Sequence, residues 1–188
     1  PTNPFGLESI YKEKPFKTLV LDSLTSWFKL ALTYAIELSR TYGLKEQPTI
    51  ERPQLVGYGI RSTATKEMAF NLINWCRKHG VNCVFIAHKG EMVKDEQTGI
   101  MYNSIGLSGD IPNEIARWCD ECWMMGVDGT GKRLLQVQPL SNARPLKTRM
   151  FSSDVSTVDA TTLSLSQLID AWRSTGKINN DTLTHLKG

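Results

Sequence analysis

Long apolar runs are missing from this 188-residue chain, and nothing in it approaches the ~20 consecutive apolar residues that a membrane-spanning helix needs. A secretory signal pattern is also missing from its start. There are four cysteines, Cys76, Cys83, Cys119 and Cys122, all in apolar or strand-like stretches. That placement argues against a disulfide scaffold and for reduced thiols in a cytoplasm. "CDEC" (Cys119–Cys122) has the spacing of half a zinc site, but no second Cys or His pair accompanies it. A large charge surplus is absent as well: 22 basic against 19 acidic residues leave a net +3. Such a balance permits an anionic partner without requiring one. Internal repeats and low-complexity tracts are not found. The composition that remains, 40% hydrophobic and 22% charged, is that of a globular chain long enough for one domain with a sizeable core.

The organisation is written in hydrophobic periodicity. "FGLESIYKE" predicts a short helix with Leu7 and Ile10 inward. "TLVLD" (18–22) is a continuous apolar run of strand length, suited to a parallel strand covered on both faces. Ser23 can cap the helix that follows, in which Leu24, Trp27, Phe28, Ala31, Ala35, Leu38 and Tyr42 recur at helical spacing up to Gly43. Residues 44–62, with two prolines and "GYG", read as a loop. A second helix is expected from about Thr63 to His79, with Met68, Leu72, Trp75 and Cys76 on one face. "VNCVFIAH" (81–88) is another buried strand ending on a polar residue. The stretch 89–109, "KGEMVKDEQTGIMYNSIGLSG", reads as a long loop, and long loops inside compact domains tend to be functional. A short helix over 111–118, a strand in "CDECWMMGV", a "DGTG" turn and the returning strand "KRLLQVQPL" follow. Met124 and Met125 are expected in the core. Residues 152–162 are polar and linker-like, and two amphipathic helices close the chain. The alternation predicts an α/β fold with a mainly parallel sheet flanked by helices, a late β-hairpin and a C-terminal helical tail. The expected division is 1–151 for the core and 152–188 for the linker and tail.

In an open parallel sheet, ligands gather at the carboxyl ends of the strands. Two strands here end on Asp22 and His88. A carboxylate at a strand tip can hold magnesium, often through water, and the ion then bridges phosphates. A histidine on a neighbouring tip can meet a terminal phosphate or position water. Lys147 and Arg149, in "KTR", point the same way if the stretch is extended, and together can neutralise phosphate charge. Each feature has a plainer reading: a strand-end aspartate can simply cap a helix, a lone histidine can be structural, and a basic turn can be merely solvated.

The order of these features resembles the core of RecA-like P-loop ATPases, and most of all the phage and prophage ATPases of recombination or single-strand annealing. The resemblance covers roughly residues 5–151. "TLVLDSLT" resembles the Walker B strand, which implies a nucleotide-binding role for Asp22 and Ser23, with magnesium on Asp22. "VFIAH" resembles the strand that senses the γ-phosphate, which implies that role for His88. "LSGDIPNEIARWCDECWMM" resembles the approach to the late hairpin. "KTR" resembles the pair that reaches a neighbouring subunit's nucleotide, which implies Lys147 and Arg149. The implied cofactors are ATP and magnesium. The implied partners are single-stranded DNA and further copies in a ring or filament, and the implied location is the cytoplasm, that of a bacterial host if the chain is phage-encoded. Loops 44–62 and 89–107 occupy the places that touch DNA in that group. Arg52, Arg61, Lys89 and Lys94 are then candidates for phosphates, and Tyr58 and Tyr102 for bases. Glu91, Asp95 and Glu96 in the second loop oppose such contacts. Two rivals stand beside this reading: a hexameric replicative helicase core, and a non-catalytic DNA-binding or assembly module.

One departure matters. The pattern G-x-x-x-x-G-K-[ST], whose backbone cradles phosphates, occurs nowhere in the sequence, and "GTGKR" lacks both the six-residue frame and the hydroxyl. The chain also opens on Pro1, so a phosphate-loop segment is expected upstream. Without that segment the 188 residues are expected to bind ATP weakly and not to turn it over usefully. Losing three charge-assisted hydrogen bonds at roughly 1.5 kcal/mol or more each removes about a thousandfold in affinity. Titration calorimetry with magnesium-ATP checks this, and micromolar binding with steady turnover is the contrary result.

Overall fold

Strand β1 spans Thr18–Asp22 and pairs in parallel with β2, Asn82–Ile86, in the register Thr18↔Asn82 through Asp22↔Ile86. Between them run α2 (Leu24–Ser39) and α3 (Gln54–His79), with α1 (Leu7–Glu13) ahead of β1 and α4 (Ile111–Trp118) further on. This is a computed structural model, and it describes residues 4–43, 45–94, 96, 99–138 and 146–187. The chain divides into two compact units, Pro1–Gly90 with Ile105–Trp118, and Glu91–Ser104 with Cys119–Gly188.

In the first unit the helix starts and stops follow local chemistry. Ser23 caps α2, its hydroxyl accepting from the Ser26 N–H at 3.1 Å. Gly43 and Gly80, at φ of 62° and 64°, take the left-handed turns after the two helical segments. Leu24, Phe28, Ala31 and Ala35 of α2 are buried, as are Met68, Leu72, Trp75 and Cys76 of α3; Tyr42 is exposed. α3 is longer than its periodicity predicts, because Pro53 sits at its N-cap rather than inside it, so it breaks nothing. "GYG" is therefore helical. Gly57 is buried, and a Cβ there would lie 3.3 Å from Ile36 Cδ1, which lets α3 approach α2 closely; a Cβ on Gly59 would meet open space. α1 is held by Glu8, which accepts from Trp75 Nε1 at 3.2 Å and lies 3.0 Å from His79 Nε2. Leu7 is buried, but Ile10 faces solvent.

The mainly parallel sheet is not found. Among the described residues β1 and β2 form the parallel pair, and the remaining strands make a two-stranded ribbon and a three-stranded antiparallel sheet. Nor is β1 covered on both faces: Thr18, Val20 and Asp22 are exposed, with Val20 at 51%. A single connection carries both α2 and α3 between neighbouring strands, so it covers one face only. The stretch read as a long loop contains the ribbon, β3 (Lys89–Lys94) with β4 (Met101–Ile105).

The second unit carries β5 (Met124–Val127), β6 (Arg133–Gln136) and β7 (Thr157–Asp159), joined as an antiparallel sheet in that order. Asp128 builds the β5–β6 turn by accepting from the Thr130 and Lys132 N–H groups at 2.8 and 3.0 Å. Residues 152–162, linker-like in composition, supply β7 and bury Val155 and Val158 in a core with Phe151, Leu168 and Ile178. Met125, expected inside, is 63% exposed. α5 (Leu165–Thr175) starts on a capping box between Ser164 and Gln167, and α6 (Asn180–Lys187) follows. Residues 139–145, and with them the end of "KRLLQVQPL" and the start of "SNARPLKTR", lie outside the described residues, as does Asp95. Among the described residues no helix is long and apolar enough to cross a membrane.

The two helical glycines separate packing from propensity. Gly59→Ala is expected to stabilise by about 0.5–1 kcal/mol, because it removes backbone entropy from the unfolded chain. Gly57→Val is expected to destabilise by about 1–3 kcal/mol, because its side chain meets Pro53 and Ile36. Urea midpoints of the two variants should move in opposite directions.

Candidate functional site

The parallel register brings Asp22 and His88 to the same end of neighbouring strands. Asp22 closes β1 opposite Ile86, and His88 lies two residues beyond Ile86. Both side chains are exposed, and neither makes a hydrogen bond or ion pair among the described residues. The helix cap next to Asp22 is made by Ser23, which is 4% exposed and lies 3.0 Å from the Ser26 hydroxyl. The Asp22–Ser23 peptide is cis. The His88 N–H donates to Thr25 Oγ1 at 2.9 Å, and its carbonyl accepts from the Gly106 N–H at 2.8 Å.

Three residues expected to face nucleic acid also lie in the described part of α3 and the bend before it. Arg52 is exposed. Tyr58 and Arg61 are brought together, with the guanidinium 4.9 Å from the Tyr58 ring centroid, 4.0 Å from that of Phe28, and 3.1 Å from the Ser108 hydroxyl it donates to. Arg61 is thus committed to an intramolecular stack. Lys89 and Lys94 are exposed at the two ends of β3; five residues apart on a strand, they alternate to opposite faces. Lys89 belongs to the first unit, while Lys94 and Tyr102, the latter half-buried on β4, belong to the second.

The second unit holds Lys147 and Arg149. Lys147 pairs with Cys122 through both backbone groups, at 2.8 and 3.0 Å, and its ammonium donates to the Cys119 carbonyl at 2.7 Å. Arg149 is exposed and meets Asp120 at 2.8 Å. Between them, Glu121 organises the turn. It accepts from the Thr148 hydroxyl at 2.6 Å and Trp123 Nε1 at 2.8 Å on one oxygen, and from the Arg149 and Met150 N–H groups at 2.6 and 2.8 Å on the other. Burial, followed by the neighbouring Cys119, pushes the Cys122 thiol up to about 11, so it is protonated at neutral pH and a poor metal ligand there. Glu121 and Thr25 carry these arrangements, yet nothing in the sequence marks either.

A family model described as an AAA domain matches residues 9–149. The chain belongs to this AAA-domain family. No curated protein and no solved structure matches it. AAA-type domains are nucleotide-binding P-loop ATPases, which generally use ATP and magnesium. Against that cofactor, the exposed carboxylate of Asp22 is the kind of oxygen donor that could hold magnesium together with water and phosphate oxygens. The described residues contain no cluster of three or more His, Cys, Asp or Glu side chains that could hold a metal unaided. The pattern G-x-x-x-x-G-K-[ST] does not occur in the sequence.

The Glu121 turn can be tested by comparing two neighbouring acids. Glu121→Ala is expected to cost about 3 kcal/mol, since it leaves several partly buried donors without an acceptor. Asp120→Ala removes an exposed ion pair and is expected to cost less than about 1 kcal/mol. Chemical denaturation followed by circular dichroism measures both.

Proposed function

We propose that this AAA-type chain is part of a RecA-like ATPase of the phage recombination or annealing type, which couples ATP binding to work on single-stranded DNA. The observation that supports this best is the pair of free side chains at adjacent parallel tips. Asp22 is not used as the helix cap, because Ser23 takes that part, and His88 stands on a clamped backbone with its imidazole in solvent. Magnesium, when bound with ATP, neutralises phosphate charge. Asp22 would hold the ion through water, with Ser23 beside it, and His88 would meet the terminal phosphate or the attacking water. Lys147 and Arg149 act on the nucleotide of a neighbouring copy in a ring or filament, where Arg149 exchanges its exposed Asp120 partner for phosphate. Of the candidates for the single strand, Arg52, Tyr58 and Lys89 are exposed in the first unit and Lys94 is exposed in the second, while Tyr102 is half-buried and Arg61 would have to leave its stack to reach a phosphate.

A second reading is a non-catalytic nucleic-acid-binding or assembly module on the same fold. The absence of G-x-x-x-x-G-K-[ST] from the sequence favours it. Asp22→Asn in the full-length protein separates the two. An ATPase is expected to lose magnesium-dependent turnover on the order of a hundredfold while its circular dichroism and urea midpoint stay put. Full turnover in the folded variant would reduce Asp22 to a solvated strand end. DNA binding that is equal with and without nucleotide would favour the module.

A further inference from the structure

Thr25 lies three residues after Asp22 and is only 7% exposed. Its two side-chain branches do different things. Oγ1 accepts the His88 N–H at 2.9 Å, and Cγ2 stands where a Cβ on Gly106 would come within 3.5 Å. Gly106 in turn donates its N–H to the His88 carbonyl. Both backbone polar groups of His88 are therefore held, one by a side chain of α2 and one by the segment after β4. Gly90 and Gly106 sit in close contact there. A Cβ on Gly90 would meet Gly106 Cα and the Ile105 carbonyl oxygen at 3.0 Å, and one on Gly106 would meet the His88 carbonyl oxygen at 3.1 Å. The chain leaves the first unit at Gly90 and returns at Ile105, so the outgoing and incoming strands touch backbone to backbone.

We propose that Thr25 is the positioning residue of this site. It fixes the backbone of His88, and hence the place of the imidazole relative to Asp22, and it ties the base of the β3–β4 ribbon to the same contact. A β-branched residue suits the task, since its restricted χ1 keeps hydroxyl and methyl aimed at two partners at once. A phosphate-bearing ligand that draws on His88 then acts on the Gly90–Gly106 contact through one shared hydrogen-bonded residue. The functional half of this proposal rests on the reading of the strand tips as the nucleotide site.

The test uses Thr25→Val, which keeps the branch and removes the acceptor, and Thr25→Ser, which keeps the acceptor. Amide hydrogen exchange by NMR is read at His88 and Gly106, and against the remaining amides of the first unit. Thr25→Val should speed exchange at His88 and Gly106 by about five- to tenfold with the rest unchanged, and Thr25→Ser should return both to within about twofold of the parent. Unchanged exchange at His88, or equal acceleration throughout the unit, overturns the clamp. In the full-length protein, Thr25→Val should lower kcat with little change in KM, with Ser restoring it. If Asp22→Asn abolishes turnover while Thr25→Val leaves kcat intact, the positioning role fails and the nucleotide reading stands. If neither Asp22→Asn nor His88→Ala affects turnover, the nucleotide reading fails, and the exchange pattern alone decides the clamp.

Discussion

The five-residue parallel ladder between β1 and β2 is the constraint from which the rest of the first unit follows. Parallel neighbours need a long crossover, and here that crossover is α2 and α3 packed against each other. The ladder sets both strands running the same way, so their carboxyl ends coincide and Asp22 and His88 share one end. Packing the helices on one face buries their apolar stripes and leaves the other face of β1 open at Val20. The end bearing Asp22 and His88 is then secured by polar contacts rather than by apolar burial, with Ser23 closing the helix start and Thr25 holding the adjacent tip.

A carboxylate plays the equivalent part in the second unit. Glu121 gathers three donors from Thr148–Met150, a segment without regular secondary structure, and a fourth from Trp123, and so gives Lys147–Met150 a defined path beside Cys119–Cys122. The two cations consequently differ in circumstance. Lys147 is half-buried with a carbonyl partner, whereas Arg149 is exposed with a solvated aspartate. Of the pair, Arg149 is the more easily redirected to another anion, because exposed ion pairs contribute little.

Membership of an AAA-type family points to nucleotide chemistry, and two exposed side chains, Asp22 and His88, stand at one end of the parallel pair. The phosphate-loop pattern, whose cradle depends on consecutive backbone N–H groups at a helix start, does not occur in this sequence.

Local signals determined much by themselves. The run "TLVLD", the cap at Ser23, the stops at Gly43 and Gly80, and the "DGTG" turn each depend on neighbours within a few residues, and each is found where the sequence places it. Signals that depend on context misled. Gly57 and Pro53 suggested a loop, but a glycine against Ile36 and a proline ahead of the first turn both suit a helix. The polar stretch 152–162 hid two valines that only an adjacent β6 could bury. The tertiary structure alone decided the site contacts. Thr25 reaches a residue 63 positions away, and Glu121 reaches partners 27 to 29 positions away. At such separations neither periodicity nor propensity carries information, because the partner is chosen by how the whole chain returns on itself.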